Sequence, residues 1–440
     1  MRRLSPLISA VALALVLYAL AVGCGGANDK PGLVTSWGKD GVVELPGFEV
    51  KQTIEDRSGR IVAVGNYKGN YAQVVRLLPN GSLDSSFGKD GVVRWPFHMF
   101  QGRFPHGMDY LGWDEAALLP DGRIALAGTN IVGIVDDEST LVVSELDQSG
   151  KVVESFGQNG YFTADKRLYD CSKIGKGCER QFFALARKKT TCTRGPESLA
   201  AQGEKIVVAA TRFCKPFEPH HIVVMRLNAN GTLDSSFGKK GEVTSGTAPL
   251  TDDAPLLALP DGHLVVGGTT PKGGMARLTG LLPNGALDPR FGRKGVAFTR
   301  AASSSSSLNT LTALMSDGHG TLSVTGTNNE GPFLIRFTSS GRPLSIHGKS
   351  NYENFGGATF GFAYAVFAQL PSGELVGAGH RLARTTPKGV LDPSYPPQRL
   401  YGGGKLIIRG ILAASDGTVL ITLLKQNPSE TFTANLARYR

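Results

Sequence analysis

RLLPNGSLDSSFGKDGVV, residues Arg76–Val93, returns as RLNANGTLDSSFGKKGEV at Arg226–Val243 and, more worn, as GLLPNGALDPRFGRKGVA at Gly280–Ala297. A long chain made of copies of one short unit is an array of supersecondary elements, each burying its apolar face against its neighbours. The repeat therefore decides the architecture. Working outward from it, a second half-motif alternates with the first: an apolar stretch, a turn, then another apolar stretch. Examples are AALLPDGRIALAG at Ala116–Gly128, LLALPDGHLVVGG at Leu256–Gly268 and AQLPSGELVGAG at Ala368–Gly379. Its turn glycines are Gly59, Gly122, Gly203, Gly262, Gly318, Gly373 and Gly417. Asp-Gly or Ser-Gly between two apolar runs marks a hairpin, because these residues tolerate the positive φ of tight turns. The runs carry Val, Ile, Leu and Ala at consecutive positions, as strands buried on both faces do.

In the first half-motif a strand leads to Asn-Gly at Gly81, Gly231 and Gly285, with looser copies at Gly150, Gly341 and Gly389. The following L-D-x-x-F-G places Asp84, Asp234, Asp288 and Asp392 where a carboxylate caps a short helical turn. Pro289 and Pro393 suit its first position. Gly88, Gly238 and Gly292 can close it in a left-handed conformation. Phe87, Phe156, Phe237 and Phe291 are expected to plug between neighbouring units.

Each unit thus offers four strands: the stretch after the Phe-Gly turn, the two hairpin strands, and the strand before Asn-Gly. That is the make-up of a β-propeller blade. The Phe-Gly turn recurs seven times if Trp37-Gly38 opens the series and Tyr395 ends it, whereas the Asn-Gly turn, its looser copies included, occurs six times. The strand at Asn435–Arg440 is therefore expected to meet SWGKDGVV at Ser36–Val43, closing an all-β ring of seven four-stranded blades with no open edge. The alternative, an open β-solenoid, needs capping units that the sequence does not show.

The run Asn80-Gly81-x-Leu83-Asp84-x-x-Phe87-Gly88-x-x-Gly91 and its in-register copies resemble the delta-60 repeat family, a bacterial β-propeller domain of unknown function. The resemblance covers nearly all of the chain beyond its N-terminus. It departs from the pattern at Ser345-Ile346-His347-Gly348 and at Ser394-Tyr395-Pro396. It implies a propeller in a bacterial surface or secreted setting, and no reaction.

Met1-Arg2-Arg3, the apolar Leu7–Val22 and the small-residue run Ala21-Val22-Gly23-Cys24 read as an export signal. The ending resembles a bacterial lipobox, which implies residues 1–23 as signal peptide and Cys24 as the lipidated first residue of the mature chain. Residues 24–34 then form a short tether and 35–440 the propeller. The implied localisation is the cell envelope, membrane-anchored on an outer face or in the periplasm. Removing Arg2 and Arg3 lowers the net charge from +10 to +8, and what remains is scattered, which argues against nucleic acid. A 41% apolar and 19% charged composition fits a folded chain.

Export makes Cys171, Cys178, Cys192 and Cys214 a candidate pair of disulfides, for which three connectivities exist. A four-cysteine zinc site is the competing reading, but no C-x-x-C pair is present. The histidines lack a metal-ligand spacing, and there is neither a G-x-S-x-G elbow nor a P-loop. No metal or cofactor is expected, and the chain is expected to be a monomer.

Repeat-matched positions build the scaffold, so function is sought where the copies differ. One insertion, Trp95–Trp113, separates the second unit's first strand from its hairpin and holds Trp95, Phe97, Phe100, Phe104, Tyr110 and Trp113. Such aromatic residues either bind sugar rings or a partner protein, or pack as an accessory core. The other, Tyr161–Ala201, stretches the interval between hairpin glycines to 81 residues (Gly122 to Gly203), and carries Cys171, Cys178 and Cys192. The expectation is a lipid-anchored module that binds an envelope protein or a glycan. The alternative is an exported glycan hydrolase or lyase, recognisable by two or three carboxylates within ~6–9 Å of one another at the central channel.

Overall fold

The computed structural model describes residues 32–69, 71–95, 110–131, 139–164, 193–212, 221–244, 254–270, 275–300, 308–346, 348, 350–356, 359, 365–402, 406–428 and 431–440. Within them the strands form seven four-stranded antiparallel sheets. Blade 1 shows the pattern: Phe48–Glu55, Ile61–Tyr67, Tyr71–Leu77 and Val92–Arg94, hydrogen-bonded in that order. The first strands of blades 2 to 7 are Tyr110–Leu118, Thr193–Gln202, Leu256–Ala258, Leu308–Ser316, Val366–Gln369 and Ile407–Ala413. Each first strand touches the first strands of both neighbouring blades, and that of blade 7 touches that of blade 1. They are the inner strands, and they line the channel.

The expected strand order needs one correction. The stretch after each Phe-Gly turn does not open the next blade. Val92–Arg94 is the outer strand of blade 1, so Trp95–Trp113 joins the outer strand of one blade to the inner strand of the next. The sequence unit is offset by one strand from the blade. That offset closes the ring: Val42–Leu45, from the N-terminal side, is the outer strand of blade 7 and pairs with Phe432–Tyr439. The register Val42↔Ala437, Val43↔Leu436 matches the expected meeting of the two chain ends, and Leu33 bridges Tyr439 beyond it. Pairing the last edge removes exposed donors and acceptors that would otherwise recruit another chain.

Seven hydrophobic clusters sit one to each interface between blades. Val62, Val64, Val74 and Phe87 of blade 1 meet Leu111, Trp113, Leu126 and Val142 of blade 2, for example. The second and third strands of blade 1 are buried nearly throughout, as consecutive apolar residues require when both faces are covered. Phe87, Phe156 and Phe237 are fully buried, each wedged under the following blade's turn glycine. Gly88 holds φ at 57° and donates its amide to the Ser149 carbonyl of blade 2. A side chain there would strike the Val92 backbone, so the glycine is obligatory.

Candidate functional site

Five of the seven inner strands slip by one residue against their neighbour. The shared shifts lie between Val50 and Gln52, Trp113 and Glu115, Pro196 and Ser198, Leu311 and Ala313, and Ile408 and Gly410, and blades 3 and 5 slip a second time, between Thr193 and Pro196 and between Leu308 and Thr310. Each is a β-bulge, which leaves one residue out of the ladder and re-aims its side chain. The extra residues at the shared shifts are Lys51, Asp114, Glu197, Thr312 and Arg409. Asp114 stands four before Leu118, the strand's last paired residue. Counting four back from Ala258 and Gln369 in blades 4 and 6 gives Ala254 and Ala365. The ring of bulge positions is therefore lopsided. Blades 7, 1, 2 and 3 present Arg409, Lys51, Asp114 and Glu197, whereas blade 5 has Thr312 and blades 4 and 6 have, at the matching places, the buried Ala254 and Ala365.

Glu49, Gln52 and Glu115 complete the charged arc. Lys51 Nζ donates to Glu49 Oε1 at 2.5 Å. Gln52 Nε2 donates to Glu115 Oε2 at 3.0 Å, and Gln52 Oε1 accepts the Ala116 amide, tying blade 1 to blade 2. Glu197 accepts the Thr211 hydroxyl at 2.8 Å, and the Thr129 hydroxyl reaches Asp114 at 3.4 Å. Burial pushes Asp114 up to about 6, against the pull of Lys51, Thr129 and Arg409. Burial also pushes Glu115 up to about 8, reinforced by Asp114 and Glu197 and opposed by Arg409 and the Gln52 bond. Arg409 lies two blades from Asp114 and Glu115, so it acts on them across the channel. These carboxyls are enclosed by protein yet keep some solvent-accessible surface, and Arg409 is exposed. That combination is what side chains projecting into a narrow, open-ended channel show.

At neutral pH Glu115, pushed up to about 8, keeps its proton, and three other carboxyls against two cations leave about one net negative charge, with donors and acceptors side by side. Among the described residues, no three His, Cys, Asp or Glu side chains come together as a metal site.

The residues singled out in the sequence fall in three places. Cys24, Cys171, Cys178, Cys192, Cys214, Phe97, Phe100 and Phe104 lie outside the described residues. Tyr110 begins the inner strand of blade 2. Trp95 and Trp113 are 3% and 0% exposed; their rings meet edge-on at 5.2 Å, and Trp95 Nε1 donates to the Tyr161 hydroxyl at 2.9 Å. These two tryptophans are core and offer no surface to a ligand. What the insertions contribute to the channel is different. The first ends one residue before Asp114, and the second contains Glu197.

The acids at the Phe-Gly turns are caps, as expected, and also the anionic half of a buried pair. Asp84 Oδ1 accepts the Ser86 amide at 3.1 Å, while Oδ2 takes Arg76 Nε at 2.8 Å. Arg76 lies over the Phe87 ring at 4.3 Å and reaches the Gln148 carbonyl of blade 2 at 2.7 Å. Arg226 and Asp234 repeat this with Phe237 and the Pro283 carbonyl. Arg384 pairs with Asp392 over Tyr395. Arg438 lies over Trp37 and reaches Pro79. In blade 2 the charges are exchanged: Glu145 takes the arginine's place and is met by Arg123.

Compared with known proteins, the chain matches a family model described as a β-propeller domain of unknown function (DUF5122) over residues 57–87 and 205–237. No curated protein matches it. Among solved structures it resembles a Hadza microbial sialidase, with 11% identity, a TM-score of 0.45, and coverage of 89% of this chain and 66% of that one. It also resembles an α-L-arabinanase of Penicillium chrysogenum, with 12% identity, a TM-score of 0.40, and coverage of 92% and 96%. For prolyl oligopeptidase B of Galerina marginata the identity is 9% and the TM-score 0.40, and the chain spans 46% of that protein's length.

Proposed function

We propose that the chain is an exported, lipid-anchored propeller that binds a neutral, hydroxyl-rich ligand, a glycan, at the channel arc of blades 7, 1, 2 and 3. One observation carries the reading: bulges in adjacent blades present Arg409, Lys51, Asp114 and Glu197 around one channel, with Gln52 and Glu115 between them. Paired carboxylates, a guanidinium and an amide give many directional hydrogen bonds with little net charge, which suits hydroxyl groups better than an ion. The two inserted segments feed the same arc, so the irregular parts of the sequence and the irregular parts of the strands converge.

A specific observation favours a second reading, glycan hydrolysis. Glu115, pushed up to about 8, holds a proton at neutral pH, while Asp114, near 6, is largely ionised. Two carboxyls whose environments push their proton affinities apart are the ingredients of an acid and a base.

The test is titration of wild type and Glu197→Gln against a panel of envelope-type oligosaccharides, with product analysis of each mixture. Saturable binding that Glu197→Gln weakens by about tenfold or more, consistent with the loss of a charge-assisted hydrogen bond, is expected. Equal binding by both proteins removes the arc as the site. Release of a shorter sugar, lost in Glu115→Gln, converts the reading to hydrolysis.

A further inference from the structure

In blade 4 the strand position that holds Arg76 in blade 1 and Arg226 in blade 3 is Gly280. The backbone is otherwise the same. The Gly280 amide donates to Gly295 as Arg76 does to Gly91, and the Gly280 carbonyl accepts the Asp288 amide as Arg76 accepts that of Asp84. Three of the groups that meet the guanidinium in the sister blades have counterparts here, while the serine that also accepts from it there, Ser86 or Ser236, is replaced by Arg290. Asp288 stands for Asp84 and Asp234, and Phe291 for Phe87 and Phe237. Ser339 of blade 5 stands where Gln148 and Pro283 offer their carbonyls. With no arginine here, Phe291 lies where the first side-chain carbon would be, and a cavity of about 270 Å³ opens beside Asp288, lined by Asp288, Phe291, Gly280, His263, Asp261 and Ser339 among others.

Two neighbours address Asp288 without replacing the arginine. His263 Nε2 lies 3.7 Å from Asp288 Oδ2, and its Nδ1 lies 3.1 Å from Asp261 Oδ2. Arg290 Nε is 3.6 Å from Asp288 Oδ1, on a side chain that is 78% exposed. Asp288 itself is largely buried, its side chain 12% exposed. A mostly buried carboxylate beside an aromatic ring and a carbonyl edge offers a guanidinium an ion pair, a stacking face and an acceptor.

We propose that this slot, between blades 4 and 5, binds a guanidinium group supplied from outside the blade. The group would pair with Asp288, lie against Phe291 and donate across the interface to blade 5, as Arg226 does from blade 3 to blade 4. A guanidinium is favoured over an ammonium because its planar fork serves the carboxylate and the carbonyl together while its face stacks on the ring. The inference is independent of the channel reading.

Calorimetric titration of the full chain with methylguanidinium and with methylammonium tests it. Saturable binding of methylguanidinium, and weaker binding of methylammonium, is expected. Asp288→Asn keeps an oxygen for the Arg290 amide, which Asp288 Oδ1 accepts at 3.0 Å, and so preserves the turn. It is expected to weaken methylguanidinium at least about tenfold. Gly280→Arg, which requires Phe291 to give way because a Cβ at Gly280 would meet its ring, is expected to fill the slot and abolish binding. No binding by wild type, unchanged binding by Asp288→Asn, or equal affinity for methylammonium overturns the proposal. Two further arms identify the source. A peptide with an internal arginine that binds as tightly as free L-arginine points to a polypeptide partner, and acceptance of the free amino acid alone points to a small molecule.

Discussion

Arg76 and Asp84 are 2% and 6% exposed and touch at 2.8 Å, so removing Arg76 leaves the buried Asp84 with only the Ser86 bonds and Arg60 at 3.7 Å. Breaking such a pair costs about 3–5 kcal/mol. Arg76→Ala is expected to lose that much in denaturant unfolding at neutral pH. Burial raises Asp84, but the Ser86 amide and hydroxyl and the Arg76 guanidinium outweigh it, so its carboxyl sits below the usual range. A depressed carboxyl contributes stability fully present above its unfolded value of ~3.9 and lost as pH falls through the folded one. The deficit of Arg76→Ala is therefore expected to shrink below about pH 4. Glu115 has the opposite sign. Its folded value, about 8, lies above the unfolded ~4.3, so its contribution is whole in acid and fades as pH rises towards 8. Thermal unfolding of Glu115→Gln is expected to vary less than wild type between about pH 5 and 8. An identical pH dependence would contradict the assignment of that proton to Glu115.

At the scale of the element, the inner-strand bulge is the device that re-aims one residue of a strand. The bulge of blade 2 needs room on the strand beside it. Gly128 pairs with Trp113 at the slip, and a Cβ there would run into the Gly112 carbonyl. Gly326 stands in the same relation to Thr310 in blade 5. Gly128→Ala is expected to destabilise the blade by about 1–3 kcal/mol, the usual range for overpacking. Because the bulge aims Asp114, the same change is expected to weaken ligand binding at the channel more than Ala127→Gly, which leaves the slip untouched. Equal effects of the two substitutions would mean that the bulge does not position Asp114.

At the scale of the whole molecule, the ring is held by seven interfaces and one seam. Deleting residues up to Leu45 leaves Phe432–Tyr439 as an open edge, and the truncated chain is expected to self-associate in size-exclusion chromatography and lose its single unfolding transition. Cys24→Ala is expected to shift the exported protein from the membrane to the soluble fraction, as the lipid-anchor reading requires. The seven hairpins, the six Asn-Gly turns and the closure by the chain ends were all legible in the sequence, because turn chemistry and strand burial are local properties repeated in register. Asp84 could be read as a cap for the same reason, since its amide partner Ser86 is two residues away. Its partner Arg76 was not singled out, because the pair forms across two strands that only the blade aligns. The channel arc was less legible still. Asp114, Glu115, Glu197, Lys51 and Arg409 are scattered over 359 positions (51 to 409), and nothing local marks them as neighbours. Aligning the hairpins on their turn glycines would have lined up Lys51, Asp114 and Arg409, each eight residues before its glycine, but not Glu197, six before Gly203, and would not have shown that they face one channel. By itself the sequence determined the number of blades and their closure, since these follow from short-range turns counted along the chain. The tertiary structure alone decided which charges meet, because ring closure brings distant strands together, and burial there sets which carboxyls keep their protons.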